Sequence, residues 1–430
     1  MLRSAARNRK KFNLLELTLN ELFWLLMINL LMFESTIQEA TGFTYIDEFA
    51  TMALAFDAIL ILYGVAHTKM DRLAAMTIAC LMLYAFIGVA SNCTSGVSVK
   101  LKGILIDIFA CVKFPVTLLA SCVVFQKRAR LRDIFLGEIR VLLVVLIVFG
   151  VLNLFVPIAD FGIDSRYGLR ASFRFVFGHP ESLNLVTVGL LANLVLDPER
   201  NRKWIAVALV VMCLSLRSKA LAFVAIAWFL LIVWGKEGRL KWYQIAIGLV
   251  GAVLIGYDQF QAYFTTDGSA RKELTKVAFN IANRFFPLGS GFATYGSNIT
   301  ADTGYYSPLY YEYRLNLVEG LNYGKVSYLS DVFWPIVIGQ FGWLGVVVFC
   351  VLLVLLLVFV YRRSGYPGQR LACVLCFLYL LIASSSASAF YHPYAVYLGL
   401  CLGLALAAGR PEAQDVPKRS DSIMLGGNPM

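Results

Sequence analysis

Three arginines, Arg166, Arg170 and Arg174, recur at four-residue spacing in a polar stretch, residues 158–180, between long apolar segments. A guanidinium presents a planar fork of donors that matches phosphate or diphosphate oxygens. If that stretch is helical, the spacing puts the three cations on one stripe. Arg217 and Lys219 occupy a tight break between the apolar runs 203–216 and 219–234, and a longer polar stretch, 261–330, adds Arg271, Lys272, Lys276, Arg284, Arg314 and Lys325. Cations clustered at the ends of apolar segments suit a lipid-linked phosphate or diphosphate. The plainer reading of any one of them is contact with anionic headgroups, or pairing with Asp164, Glu181, Glu273 or Glu312. For Arg217, held in its turn, the phosphate reading is preferred.

Other chemistries find little support. His67, His179 and His392 are scattered, and no His, Cys or carboxylate group has metal-ligand spacing, so neither a metal nor a cofactor is expected. Neither a Walker-type nor a GxGxxG phosphate loop is present, which argues against an ATP-driven pump. All of the cysteines but Cys93 fall in apolar stretches and read as small buried hydrophobes; Cys373 and Cys376 have CxxC spacing with no second pair nearby. The net charge of +11 comes mostly from residues flanking apolar runs, so nucleic acid is not an expected partner. Two charges stand near the middle of apolar runs, Asp57 and Lys113. Each lies about ten residues, or ~15 Å, from the outer end of its segment, so the two are expected to pair at one depth, with Asp107 as a second candidate partner.

The elements that must position these residues are membrane spans. The chain is 59% hydrophobic and 15% charged, with a mean hydropathy of +0.71; soluble domains carry about 25% charged residues. Apolar runs near 14–33, 46–66, 73–92, 103–125, 138–157, 181–196, 203–216, 219–234, 242–260, 332–360, 369–386 and 390–408 predict an all-α integral membrane protein of about twelve transmembrane helices. Arg and Lys gather on alternate connections, which places both termini in the cytoplasm. The first outward connection carries acids instead: Glu34, Glu39, Asp47 and Glu48. No cleavable signal peptide is expected, since the basic start leads into a long first span. The reading divides the chain into residues 1–260, spans one to nine with the outward arginine loop 158–180; residues 261–330, a large external loop between spans nine and ten; residues 331–408, spans ten to twelve; and a cytoplasmic tail, 409–430, expected to be disordered. Within the large loop Leu274, Ala278, Ile281 and Phe285 recur at helical spacing, predicting an amphipathic helix on the membrane or over the bundle, ended by Pro287, Gly289 and Gly291.

Four patches together resemble the bacterial O-antigen polymerase and ligase superfamily, the Wzy-type polymerases in particular. They are Arg170-Ala-Ser-Phe-Arg174 running into Gly178-His179-Pro180-Glu181, where Glu181 replaces the family's usual Asn; Ser215-Leu-Arg217-Ser218-Lys219; Asn283-Arg284-Phe-Phe-Pro287-Leu-Gly289-Ser-Gly291; and Asp331 through Gln340-Phe-Gly342-Trp-Leu-Gly345. Ligases open the last patch with His, where this chain has Asp331, which favours the polymerase branch. The resemblance, covering roughly residues 130–360, implies a GT-C-like fold in the bacterial inner membrane with its site facing the periplasm. It implies metal-independent transfer of a glycan from a polyprenyl diphosphate to the end sugar of another lipid-linked unit. Membrane lipids and a polysaccharide chain-length regulator are the other implied partners. On that basis Arg217 and Arg284 are expected to bind the diphosphate, assisted by Arg166, Arg170 and Arg174. Asp331 or Glu181 is expected to act as general base, and loop tyrosines such as Tyr305, Tyr306 and Tyr310 to stack on sugars. Two alternatives remain: an O-antigen-ligase-type transferase, and a non-enzymatic transporter or flippase of lipid-linked sugars, although the paired interrupted helices of transporters are not evident.

Overall fold

The architecture comes from a computed structural model that describes residues 18–64, 71–156, 158, 161–165, 167–169, 171–234, 269–297, 303–324, 328–329 and 331–407. Helices dominate: α1 (Leu19–Met32), α2 (Glu34–Thr41), α3 (Ile46–Gly64), α4 (Arg72–Ser95), α5 (Leu101–Val124), α6 (Ala129–Phe155), α7 (Pro180–Leu194), α8 (Pro198–Leu214), α9 (Ser218–Val233), α10 (Ala270–Arg284), α11 (Pro308–Glu312), α12 (Phe333–Arg363), α13 (Pro367–Ser384) and α14 (Pro393–Ala407). A helix overlies every expected span except 242–260, which lies outside the described residues, as does the tail 409–430. Among the described residues, five helices are long and apolar enough to cross a membrane: α4, α5, α6 from Arg130, α12 and α13. The chain is thus a mostly helical membrane protein.

Burial explains the layering. Every residue of α7 is buried, and so is nearly all of α14. A helix apolar on all sides belongs in the centre of an assembly. The two pack against each other in parallel: Tyr397 lies against Gly189, and the Asn193 amide donates to the Cys401 carbonyl at 3.2 Å. Around them stand α1, α3, α5, α6, α8 and α13. The outer helices expose apolar side chains, such as Met52, Phe56, Ile59 and Tyr63 on α3 and Val347, Val351 and Val354 on α12. Such a surface suits lipid rather than water.

Residues 203–234 are two helices, α8 and α9, packed together and joined at Ser215–Arg217, with Leu216 left-handed at φ 50°. The amphipathic helix is present as α10, burying Leu274, Val277, Ala278 and Ile281, and it packs on α12. Phe285 falls just past its end.

Two expectations are corrected. The arginine loop is not helical between residues 162 and 173: β1 (Gly162–Ile163) pairs antiparallel with β2 (Ser172–Phe173). Left-handed Asp164, Tyr167 and Gly168 turn the chain between them, a backbone no α-helix contains, so the helical condition for a stripe is not met. Lys113 does not meet Asp57 either. It pairs with Asp47, whereas Asp57 takes Arg128 at 3.1 Å and the Trp24 indole at 3.0 Å. The outer ends of α3 and α5 are not level. Lys113, twelve residues into α5, meets the first turn of α3, so α5 starts roughly 15 Å farther out along the bundle.

Candidate functional site

The projecting turn between α4 and α5 receives the loop. Asn92 clasps Phe292 through both backbone groups, at 2.8 and 3.0 Å, and Ser95 donates to the Ser290 carbonyl at 2.8 Å. From α5, Asp107 accepts the Ala293 N–H at 2.6 Å. The other side of the segment docks on a break in α12. There Gly342 adopts φ 65°, ψ −166°, and the freed carbonyls of Gly339 and Gln340 accept the N–H groups of Ser290 (2.9 Å) and Gly291 (2.8 Å). The Gln340 side chain donates to the Tyr295 carbonyl at 2.8 Å. The Pro-x-Gly-x-Gly segment is therefore a splint that satisfies a broken helix. Asn92 was not singled out from the sequence, and Asp107, expected as a partner for Lys113, holds the Ala293 N–H; a polar residue inside or at the end of an apolar run was the only signal of this role.

Around the start of α7 several charged groups come together. His179 caps the helix, its Nδ1 accepting the Glu181 N–H at 3.1 Å, so the proton of the neutral ring is assigned to Nε2. Glu181, in the first turn, pairs with Lys219 of α9 at 3.0 Å and accepts the Tyr379 hydroxyl at 3.1 Å. Arg217, at the N-cap position of α9, pairs with Asp164 at 3.8 Å. Arg174 donates to the Gly178 carbonyl at 2.8 Å. Desolvation, then Arg217, and after them Lys219 and Arg174 hold His179 down at about 4, against the opposing pull of Glu181. His179 is thus neutral at physiological pH, with three cations around it.

Asp331 borders this cluster. It does not cap α12, whose N-cap position is Val332; its carboxylate accepts from Arg271 of α10 at 3.0 Å. Desolvation raises its pKa from the ordinary aspartate value, while Arg271 and, more weakly, Lys219 oppose the rise. Asp331 and Glu181 therefore both feel Lys219, so two of the expected acid–base groups stand near one ammonium.

Other expected residues lie elsewhere. Arg284, at the end of α10, ion-pairs with Glu312 and stacks over Phe285, its side chain 45% exposed; it contributes to the loop's own surface. Tyr306 and Tyr310 belong to the loop's core, 9% and 2% exposed. Their hydroxyls are engaged, Tyr306 donating to the Leu321 carbonyl and Tyr310 accepting the Gly296 N–H, and their rings pack together at 4.8 Å. Buried rings offer no face to a sugar; among the described residues, the exposed tyrosines of the loop are Tyr311, Tyr323 and Tyr328. Tyr305 is half-buried and donates to the Ser98 carbonyl. Arg166, Arg170 and His67 lie outside the described residues.

The arrangement can hold an anion. Arg174, Arg217 and Lys219 gather at the N-terminus of a fully buried helix, where the helix dipole favours negative charge. Carboxylates on the rim can take a proton. No family model matches the chain, and no curated protein matches it.

Proposed function

We propose that the protein is a glycosyltransferase that polymerises lipid-linked polysaccharide repeat units, a bacterial Wzy-type activity, in a bundle of twelve spans with both termini cytoplasmic and its site at the periplasmic face of the inner membrane. The observation that carries this reading is the convergence of Arg174, Arg217 and Lys219 on the His179-capped start of α7, with Glu181 and Asp331 beside them. A cation cluster at a buried helix N-terminus suits a polyprenyl diphosphate, whose lipid tail stays in the bilayer.

In the reaction, the hydroxyl of an acceptor sugar forms the new bond to the anomeric carbon, and the bond from that carbon to the diphosphate oxygen breaks. The diphosphate leaves with the electron pair, and Arg217, Arg174 and Lys219 stabilise the charge it gains. The hydroxyl proton passes to Asp331, or to Glu181. The neutral Nε2–H of His179 adds an uncharged donor beside these cations. Arg284, paired with Glu312, is not assigned to the diphosphate.

The test is to incubate the purified protein in lipid with a polyprenyl-diphosphate-linked repeat unit. A ladder of longer glycans without added nucleotide is the expected result; unchanged substrate sinks the proposal. Arg217→Ala is expected to slow elongation about 100-fold or more. Movement of the sugar-lipid across vesicles with no change in glycan length would point to a transporter instead.

A further inference from the structure

The break in α12 reverses the chain. In one straight helix, residues sixteen apart lie ~24 Å apart along the axis. The Phe333 and Phe349 rings nevertheless stand 5.2 Å apart, and those of Trp334 and Phe349 6.1 Å. Residues 333–341 therefore fold back along residues 343–363, with Gly342 at the apex. Only the second stretch is left to cross the membrane. Its roughly 21 residues rise ~31 Å, close to the ~30 Å of a hydrocarbon layer. Trp343 opens it, Arg362 and Arg363 close it, and residues 343–360 carry no charged side chain.

Exposed aromatic rings gather at this apex. Trp343 is 36% exposed, Phe279 of α10 39% and Phe286 70%. Contacts between α10 and α12 join them into one patch. The Phe279 and Trp343 rings lie 5.7 Å apart, and the Trp343 indole donates to the Asn283 side chain at 2.9 Å. The Leu344 N–H donates to the Pro287 carbonyl at 3.1 Å, which sets Phe286 alongside. Lys276, also exposed, stands about one turn before Phe279 on the face of α10 turned away from the loop's core. Past the patch, exposed Leu344, Val347, Val351 and Val354 continue as an apolar strip along α12.

We infer that this face of α10 is seated in the bilayer interface on the loop's side of the membrane. Phe279, Phe286 and Trp343 enter the upper acyl chains, and Lys276 meets the headgroup phosphates. Three observations name lipid as the occupant. The patch is continuous with the lipid-facing strip of α12, with no polar side chain between them. The apex stands one hydrocarbon thickness from Arg363, so the rings lie at the boundary itself. A helix with an apolar face and a basic residue beside it is the form that lies in such a boundary, and an indole with its N–H satisfied suits the same depth. A sugar is a poor alternative, because the two phenylalanine rings bring no polar atom to hold its hydroxyl groups. A second copy of the chain would have to displace lipid from the α12 strip as well. The seat fixes the height of the large loop whatever reaction the cationic cluster performs, so it is independent of the transferase reading.

The test uses the full chain in lipid nanodiscs, with Cys93 and Cys350 replaced by Ser and a small fluorophore attached at Phe279→Cys, Phe286→Cys or Tyr323→Cys. All three positions are exposed, so the core is left untouched. Tyr323, packed on Tyr306 at 5.6 Å, reports a part of the loop away from the patch. A Cys93→Ser chain labelled at Cys350 reports the lipid-facing strip. Lipids brominated high on their acyl chains quench a probe seated ~5–10 Å into the interface, and lipids brominated near the chain ends quench a deeper one. Shallow bromines are expected to quench the labels at 279 and 286 about fivefold or more over the label at 323, and deep bromines to quench Cys350 most. Trp343 supplies a reading without any label. The difference in emission between the unsubstituted chain and Trp343→Phe is expected to be quenched more by shallow bromines than by deep ones, and it decides the matter if the labelled variants fail to fold. The inference is overturned if the labels at 279 and 286 are quenched no more than that at 323, whether water or a second copy covers the face, or if the Trp343 signal ignores bromine. Glycan elongation enters none of these readings, so the transferase proposal and the seat fail separately.

Discussion

Asp331 and His179 both feel Lys219 but answer to it differently, because one ionises to an anion and the other to a cation. Desolvation raises Asp331, and Arg271 at 3.0 Å is the main charge opposing that rise. If Asp331 accepts the hydroxyl proton, it works only when ionised, so elongation must fall on acidification at a pH above the ordinary carboxylate value of about 3.9. Removing the counter-charge with Arg271→Gln is expected to move that acid limb further upward, by roughly one unit. A pH–rate profile checks both statements, and a limb that ignores Arg271→Gln removes Asp331 from the role. Asp331→Asn is expected to lower the rate about 100-fold or more. For His179 the sign runs the other way. Its folded value of about 4 lies below the ordinary 6.5, so the unfolded chain takes up the proton first. The cap's contribution to stability is complete above about 6.5 and drains away as pH falls toward 4. His179→Asn keeps a side-chain acceptor at the cap and cannot titrate. Its thermal midpoint is expected to vary less between pH 6.5 and 4 than that of wild type.

At the scale of elements, the break in α12 decides where the large loop sits. A Cβ at Gly342 would overlap the Leu288 carbonyl, and its φ of 65° with ψ of −166° belongs to a region only glycine occupies freely. Gly342→Ala is expected to destabilise the docked segment by about 3 kcal/mol. Amide exchange over residues 287–297 should quicken, because the Ser290 and Gly291 N–H groups lose their carbonyl partners on α12. Gly137→Ala, in α6 where an added Cβ meets nothing, is expected to leave that exchange unchanged. Much of this level was legible from the residues. Apolar runs located the helices, the spacing of Leu274, Ala278 and Ile281 located α10, and the break at Arg217 located the start of α9. What escaped was relative height. Periodicity fixes the face of a helix but not how far it projects, so the partners of Lys113 and Asp57 were exchanged. The arginine loop escaped for a related reason. Four-residue spacing describes a stripe only on a helix, and the left-handed Asp164 and Tyr167, non-glycine residues in turns, carry no composition signal. The tyrosines show the limit of residue type as a guide, since Tyr310 fills a core while Tyr311, its neighbour, faces outward.

For the whole molecule, the apolar exterior and the polar interior are one design problem. The outward faces of α3, α4, α6 and α12 are aliphatic or aromatic, and charges such as Asp47, Lys113, Glu181 and Lys219 are turned inward and paired. In a bilayer this is the low-energy arrangement, because lipid solvates the outside and each internal charge finds a counter-ion. It also sets a side for the site. Asn92 holds the loop segment at Phe292, so the end of α4 that carries Cys93 must lie on the same side as the loop and the cationic cluster. Cys350 is also exposed, yet it sits midway along α12 between lipid-facing Val347 and Val351. The two thiols therefore report orientation without any substitution. A membrane-impermeant maleimide applied to intact spheroplasts is expected to modify Cys93 and spare Cys350, which the hydrocarbon shields. Labelling of Cys93 only after the cytoplasmic face is opened would invert the proposed topology. The proposed diphosphate site would then face the cytoplasm, opposite to the side on which the transferase reading places its reaction.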